Sequence, residues 1–154
     1  MHKKIDVVVI ALSSPLQVGI YENGSLVETI QSEKKSSEVL PDIFQDILQK
    51  YSLNALYYAN GPGSFMAIKI AYIFLKTISV VYSVPLYAAD AFYFNGNQPI
   101  KAIGKLHFVK IQPTNKIETK PFDQPVANCF SLPKILNKND FTTDSSPMYI
   151  IGAV

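Results

Sequence analysis

The chain has 154 residues, of which 48% are hydrophobic and 17% are charged, and its formal net charge is +2. This composition excludes a globally disordered chain, and the small net charge does not by itself indicate nucleic-acid binding. All fourteen basic residues are lysine, so no arginine can clamp a phosphate or a carboxylate with paired hydrogen bonds. Cys129 is the single cysteine, which excludes a disulfide framework and a cysteine-based metal site. The sequence predicts one folded domain, or one domain with a small appendage.

Three strands are predicted at the start of the chain. Residues 5–12 form a continuous apolar run, as in a strand that is covered on both faces. Residues 16–21 and 26–30 are two further runs of strand type, and the Asn23-Gly24 pair between them is typical of a tight hairpin. We therefore expect the chain to open with three antiparallel strands.

Two helices and two more strands are predicted next. Between residues 37 and 51 apolar side chains recur at helical spacing, with charged and amide side chains on the opposite face. Residues 53–59 predict a fourth strand, residues 65–82 a long helix and residues 84–89 a fifth strand. The order β-β-β-α-β-α-β, which closes near Asp90, predicts a mixed α/β sheet with helices on a face.

The pattern weakens beyond residue 90. Residues 100–111 predict one strand or a bent pair of strands. Residues 113–146 are rich in proline, asparagine, threonine and lysine, which predicts a region dominated by loops. Residues 147–154 predict a last strand that ties down the C-terminal end.

A tight turn joins the fourth strand to the long helix. It consists of Gly61, Pro62, Gly63, Ser64 and Phe65. Pro62 fixes its own φ, and the flanking glycines can adopt positive φ; if Gly63 does so, Gly63→Val should destabilise the fold. Ser64 stands where an N-cap is expected. The turn also resembles a phosphate cradle, but the Lys-Ser/Thr pair of a P-loop is absent, so a turn followed by a cap is preferred.

The long helix is apolar on nearly every side, since only Lys69, Lys76, Thr77 and Ser79 interrupt it. Three interpretations follow: a membrane span, a helix covered on one side by its own sheet, and a helix covered on its other side by a partner protein as well. Eighteen residues with central lysines are unfavourable for a span. A helix that is apolar all round needs more than one covering surface, so we favour the partner.

A stripe for this partner can be placed on the two helices. Ile70, Phe74 and Thr77–Ile78 follow one another at helical spacing, and Lys69 lies beside them. Phe44, Leu48 and Tyr51 make a matching stripe on the preceding helix. The sequence does not decide which of these residues face outward.

The turn and its surroundings resemble the TsaB (YeaZ-like) family. Residues 61–65 follow a strand and open a helix with Ile-Lys-Ile at 68–70, as in the family signature, and the Val-Leu-Pro at 39–41 and the Val-Pro-Leu at 84–86 match the order of the family. The resemblance covers residues 5 to about 90. It implies the fold of the actin, heat-shock ATPase and sugar kinase superfamily, with an actin-like N-terminal lobe at residues 1–90 and a reduced C-terminal lobe at residues 91–154.

The resemblance also implies a function. Members of the family act in the threonylcarbamoyl modification of the tRNA adenosine next to the anticodon, as non-catalytic scaffold subunits that bind the catalytic subunit TsaD. ATP and metal are expected on TsaD, and the ATPase TsaE joins the assembly. tRNA is expected to be reached through this complex, and the sequence does not decide whether this chain touches it directly. A cytoplasmic location is expected, because the apolar run at residues 5–12 is short for a signal peptide and no small-residue cleavage site follows it. A homodimer through the same surface is an alternative. Two other interpretations stay open: a stand-alone ATP-dependent phosphotransferase or hydrolase of the superfamily, and a divergent paralogue without modification function.

Departures from the family weigh against catalysis. Where relatives carry an acidic residue after the first strand, this chain has Ser13 and Ser14, and the comparable position of the second lobe offers Gly104. These residues are poor ligands for a hard divalent cation. Lys69 stands where the family has arginine, and it keeps the charge but loses the planar fork. We predict no catalytic residue, no metal site and no cofactor.

The remaining reactive side chains have structural interpretations. Asp6 is interpreted as a strand-edge carboxylate and Asp90 as a turn or N-cap residue. Nothing in the sequence places His107 near Ser64, and Cys129 has no visible activating partner. The sequence therefore gives no support to a peptidase.

Overall fold

The computed structural model describes residues 2–102, 104–124, 126 and 129–148. Its first part follows the predicted order of strands and helices, with bounds that differ from the predicted ones by a few residues at most. The elements are β1 (Lys3–Ile10), β2 (Leu16–Glu22), β3 (Ser25–Ser32), α1 (Ser36–Lys50), β4 (Tyr51–Ala59), α2 (Phe65–Tyr82) and β5 (Leu86–Ala89).

These strands form one mixed five-stranded sheet in the order β3-β2-β1-β4-β5. Strand β1 pairs antiparallel with β2 and parallel with β4, and β4 pairs parallel with β5. Asn23 and Gly24 adopt positive φ in the turn between β2 and β3, as expected of an Asn-Gly hairpin. The predicted mixed α/β sheet is confirmed.

Both helices pack on one face of this sheet. Their buried side chains form a cluster with apolar residues of all five strands except β3, whose Ile30 is partly buried against it. From α1 this cluster takes Leu40, Ile43, Phe44 and Ile47, and from α2 it takes Ala71 and Leu75. The sheet therefore covers one face of each helix.

The second face of the sheet is covered by the region after residue 90. A second apolar cluster joins side chains of β1, β2, β4 and β5 to aromatic residues from later in the chain, namely Phe92, Phe94, Phe108 and Phe130. This region contains a small antiparallel sheet of β6 (Ile100–Lys101), β7 (Leu106–Ile111) and β8 (Lys116–Pro121). The expected bent pair is thus β6 and β7.

Strand β8 corrects the prediction that residues 113–146 are dominated by loops. It pairs with β7 along its whole length, from Leu106 opposite Pro121 to Ile111 opposite Lys116. Its sequence alternates charged and uncharged side chains, and only Ile117 is a large apolar residue, so hydrophobic patterning gives little sign of it. Most of the described remainder, residues 129–148, is irregular, with one short 3-10 turn at Lys138–Asp140.

Residues 129–148 cross the second face of the sheet and are fixed there by hydrogen bonds. Gln17 Nε2 donates to the Phe130 carbonyl at 2.8 Å, and the Tyr21 hydroxyl donates to the Pro133 carbonyl. Asn60 Nδ2 donates to the Ser146 carbonyl at 3.0 Å. Burial raises the pKa of Tyr21. The division at residue 90 stays a prediction, and the predicted last strand lies mostly outside the described residues.

Candidate protein-interaction surface

The turn before α2 is held by hydrogen bonds to other parts of the chain. Gly61 adopts a φ of +121°, and its peptide bond to Pro62 is cis. The Gly61 carbonyl accepts from the Ala91 amide at 2.7 Å, and the Asn60 carbonyl accepts from the Met148 amide at 2.7 Å. The Ser64 hydroxyl accepts from the Ala67 amide at 3.4 Å, so the predicted cap is present. The turn therefore fixes where α2 begins.

Of Gly61 and Gly63, only Gly61 has a backbone conformation that requires glycine. Gly63 lacks a positive φ, and a Cβ there would lie 3.4 Å from Leu12 Cδ2, an ordinary van der Waals distance. At Gly61 a Cβ would lie 2.5 Å from the Met148 carbonyl oxygen. The condition for the Gly63→Val prediction is therefore not met, and the conformational constraint lies at Gly61.

Helix α2 exposes an apolar row that the sequence analysis did not single out. Met66, Ile73 and Val80 are exposed by 66%, 53% and 68%. Their spacing of seven residues places them on one face of the helix, and we call them the exposed stripe. Val81 and Tyr82 extend the exposed apolar surface at the end of the helix. The sequence gives no signal for them, because apolar residues seven positions apart also occur on the buried face of this helix, as at Ile68 and Leu75.

A groove between α1 and α2 adjoins the exposed stripe. It has a volume of about 330 Å³ and is bordered at one end by Ser36 and Ser37. The ring of Phe74 lies against that of Phe44, with centroids 5.2 Å apart in an edge-to-face arrangement. The side chains that line this α1–α2 groove are Pro41, Ile70, Ile73, Phe74 and Thr77.

The predicted interface residues divide into three groups. Phe44 is 1% exposed and belongs to the core, so it supports the groove from below and cannot itself face a partner. Lys69 and Thr77 are exposed, and Ile70 is half-buried in the groove. The others are partly buried and packed against the core cluster: Leu48, Tyr51, Phe74 and Ile78. Their contact with a partner stays a prediction.

A second cavity lies at the C-terminal end of β1. It has a volume of about 510 Å³, and Ser13, Ser14, Lys34 and Lys35 are among its lining residues. The Ser14 hydroxyl donates to a carboxylate oxygen of Glu33. Within the described ranges, no three His, Cys, Asp or Glu side chains gather in a way that could hold a metal ion.

The other candidate side chains have structural contacts. Asp6 accepts from Asn54 Nδ2 at 2.9 Å. Asp90 accepts from the Tyr93 amide at 3.2 Å and forms an ion pair with Lys110, which confirms its interpretation as a cap. His107 Nδ1 is 2.9 Å from the Lys105 carbonyl oxygen, and Cys129 is exposed. The structure does not bring His107 into either of the cavities that contain Ser64.

An aromatic cluster closes the opposite face of the sheet. The rings of Tyr57 and Tyr87 stack at 5.1 Å, and Phe141 meets Tyr57 edge-on at 4.8 Å. Burial raises the pKa of Tyr57 to about 12. The pKa of Tyr93 is also raised to about 12, by burial and by its hydrogen bond to Asp140. These side chains therefore pack the second face of the sheet, and the Tyr93 hydroxyl in addition donates to Asp140 Oδ2 at 2.9 Å.

The five-stranded mixed sheet with two helices on one face defines a mixed α/β fold that is also found in solved structures. It is similar to that of YeaZ from Pseudomonas aeruginosa, with a TM-score of 0.60 over 80% of this chain and 70% of that chain at 13% identity. A second solved structure, described as an uncharacterised protein with similarity to the peptidase YeaZ from Pseudomonas aeruginosa, matches equally well over 69% of its length. No family model and no curated protein matches the chain. The predicted resemblance is confirmed at the level of the fold.

Helix α2 also meets the length and composition expected of a membrane-crossing helix, and among the described residues no other helix does. In this fold, however, Ile68, Ala71, Leu75 and Ser79 of α2 are buried. A single such helix is weak support for a span.

Proposed function

We propose that the chain is a non-catalytic scaffold subunit of the TsaB (YeaZ-like) family. It would act in the threonylcarbamoyl modification of the tRNA adenosine next to the anticodon. The observation that carries the proposal is the exposed stripe beside the α1–α2 groove, on a fold similar to YeaZ. Exposed apolar side chains in a row are stabilised when a partner buries them, and such surfaces mark protein interfaces.

The partner under this proposal is a TsaD-like catalytic subunit. Two helices of that subunit would pack on α1 and α2, as in a four-helix bundle. ATP and metal would be bound by the TsaD-like subunit, a TsaE-like ATPase would join the complex, and tRNA would be reached through the complex in the cytoplasm. A second copy of this chain is the alternative occupant when the catalytic subunit is absent.

The stand-alone ATP-dependent enzyme of the same superfamily is the alternative function. Helix α2 begins beside the end of β1, where Ser13 and Ser14 are the side chains at the position of the acidic residue in relatives. Hydroxyl groups bind divalent cations far less strongly than carboxylates do.

For the isolated chain we expect calorimetry to detect no tight binding of magnesium-ATP. Micromolar affinity, or ATP turnover by the purified chain above background, would favour the enzyme instead.

Complex formation tests the scaffold proposal directly. The purified chain and the TsaD-like subunit of the same organism are expected to elute together in size-exclusion chromatography. Ile73→Asp should abolish this co-elution, because it places a charge in the middle of the exposed stripe. Val27→Asp, at an apolar side chain on β3 that is 51% exposed, is the matched control and should bind like the unmodified chain. A chain that never co-elutes with that subunit would refute the proposal.

A further inference from the structure

The face of α2 that surrounds the exposed stripe has a charge pattern that restricts its partner. Lys69 and Lys76 are both exposed, and they are the only charged residues of the helix. Among the described residues, neither lysine is part of an ion pair. They are seven residues apart, so they form a row parallel to the exposed stripe, about 10 Å long at 1.5 Å per residue.

The lysine row and the groove lie on opposite sides of the exposed stripe. At 100° per residue, Lys69 and Lys76 are displaced from Ile73 in one direction around the helix, whereas Ile70, Phe74 and Thr77 are displaced in the other. The contact of Phe74 with Phe44 fixes the second direction as the one toward α1. A helix seated on the stripe is thus bounded by α1 on one side and by two lysines on the other.

On this basis, and resting on the function proposed above, we propose that the partner is a helix with an apolar row and a flanking row of carboxylates about seven residues apart. The apolar row covers Met66, Ile73 and Val80 and enters the α1–α2 groove. The carboxylates pair with Lys69 and Lys76. Such a flank selects the partner and its orientation, because opposite charges at an interface edge favour one register and like charges oppose it.

A second copy of this chain fits that description poorly. Its own α2 offers an apolar row, but two antiparallel copies of α2 place their lysine rows against each other. Its α1 carries the exposed acids Glu38, Asp42 and Asp46, but the large apolar residues of α1 are buried or half-buried in its own core. In this antiparallel arrangement neither helix of a second copy presents both an apolar row and an acidic flank to α2, so the charge pattern favours a different protein over such a dimer.

The test measures binding of the purified TsaD-like subunit to the full chain at several salt concentrations. For Lys69→Glu/Lys76→Glu we expect binding at low salt to weaken by about fivefold or more, as for the loss of two exposed ion pairs. Because the glutamates would repel the proposed carboxylates, added salt should reduce the difference in affinity between this variant and the unmodified chain. Lys120→Glu/Lys134→Glu makes the same change in net charge at exposed sites away from α2 and should leave binding unchanged.

The outcomes separate this inference from the function on which it rests. If Ile73→Asp abolishes binding while the double lysine variant binds like the unmodified chain, or more tightly, the acidic flank is refuted and the scaffold function stands. If the unmodified chain does not bind the subunit, both are refuted.

Two other results would assign this face of α2 to a different occupant. A stable homodimer that Ile73→Asp dissociates and the lysine variant leaves intact would assign the face to a second copy. Binding to anionic lipid vesicles that requires both lysines, without binding of the subunit, would assign it to a membrane surface. Either result would overturn the inference.

Discussion

Gly61→Val is expected to lower the free energy of unfolding by roughly 2–4 kcal/mol, as for a side chain forced into a left-handed conformation and a steric clash. The φ of +121° is one that residues other than glycine rarely adopt, and the new Cβ would lie 2.5 Å from the Met148 carbonyl oxygen. Because that oxygen belongs to the backbone, it cannot move aside as a flexible side chain can. Urea unfolding followed by circular dichroism measures the loss.

Gly63→Ala is the control for this experiment. It changes a glycine two residues away, in the same turn, where the added Cβ would lie 3.4 Å from Leu12 Cδ2 and the backbone has no positive φ. The expected change is within about 1 kcal/mol in either direction. Equal losses in the two variants would show that the turn is sensitive to bulk alone and that the conformation of Gly61 does not matter.

Leu75→Asp is expected to prevent folding, whereas Ile73→Asp is expected to leave the fold intact. Leu75 is fully buried in the core cluster, so an aspartate there would be an unpaired charge in an apolar environment, a cost above about 4 kcal/mol. Ile73 is 53% exposed, so its replacement leaves the charge in water. Thermal unfolding of the two variants, made with the same substitution in the same helix, provides the comparison.

The same pair of variants tests the orientation of α2. A folded Leu75→Asp variant would mean that the helix does not present this side to the sheet. An Ile73→Asp variant that melts far below the unmodified chain would mean that the exposed stripe contributes to stability within the monomer. In that case the loss of partner binding by Ile73→Asp could no longer be read as an interface effect.

The first half of the fold could be predicted from the sequence because each element has its own local signal. The Asn23-Gly24 pair fixes the hairpin, and the turn at residues 61–65 fixes where α2 begins. The amphipathic pattern of α1 gives its buried face. Beyond residue 90 local signals are weak, and β8 is held by pairing with β7, which no local pattern reveals.

The outward face of α2 could not be predicted for a different reason. Because the helix is apolar nearly all round, its sequence does not distinguish the side that packs on the sheet from the side that is exposed. The predicted stripe on α2 consequently omitted Met66, Ile73 and Val80, which are exposed. The inclusion of Phe44 was a separate error, because Phe44 lies on the buried face of the amphipathic helix α1. Only the packing of α1 beside α2 separates the two sides.

The segment at residues 129–148 has a consequence for how the chain folds. It closes the second face of the sheet through contacts between residues very far apart in sequence, such as Gln17 with Phe130 and Tyr21 with Pro133, at separations of 113 and 112 residues. Contacts of this kind require a large loop to close before they yield any stabilisation. During synthesis, the strands β1 to β5 therefore emerge with one face covered by helices and the other apolar face open. That open face is vulnerable to aggregation until the residues between β5 and residue 148 have been added, as in other folds dominated by non-local contacts.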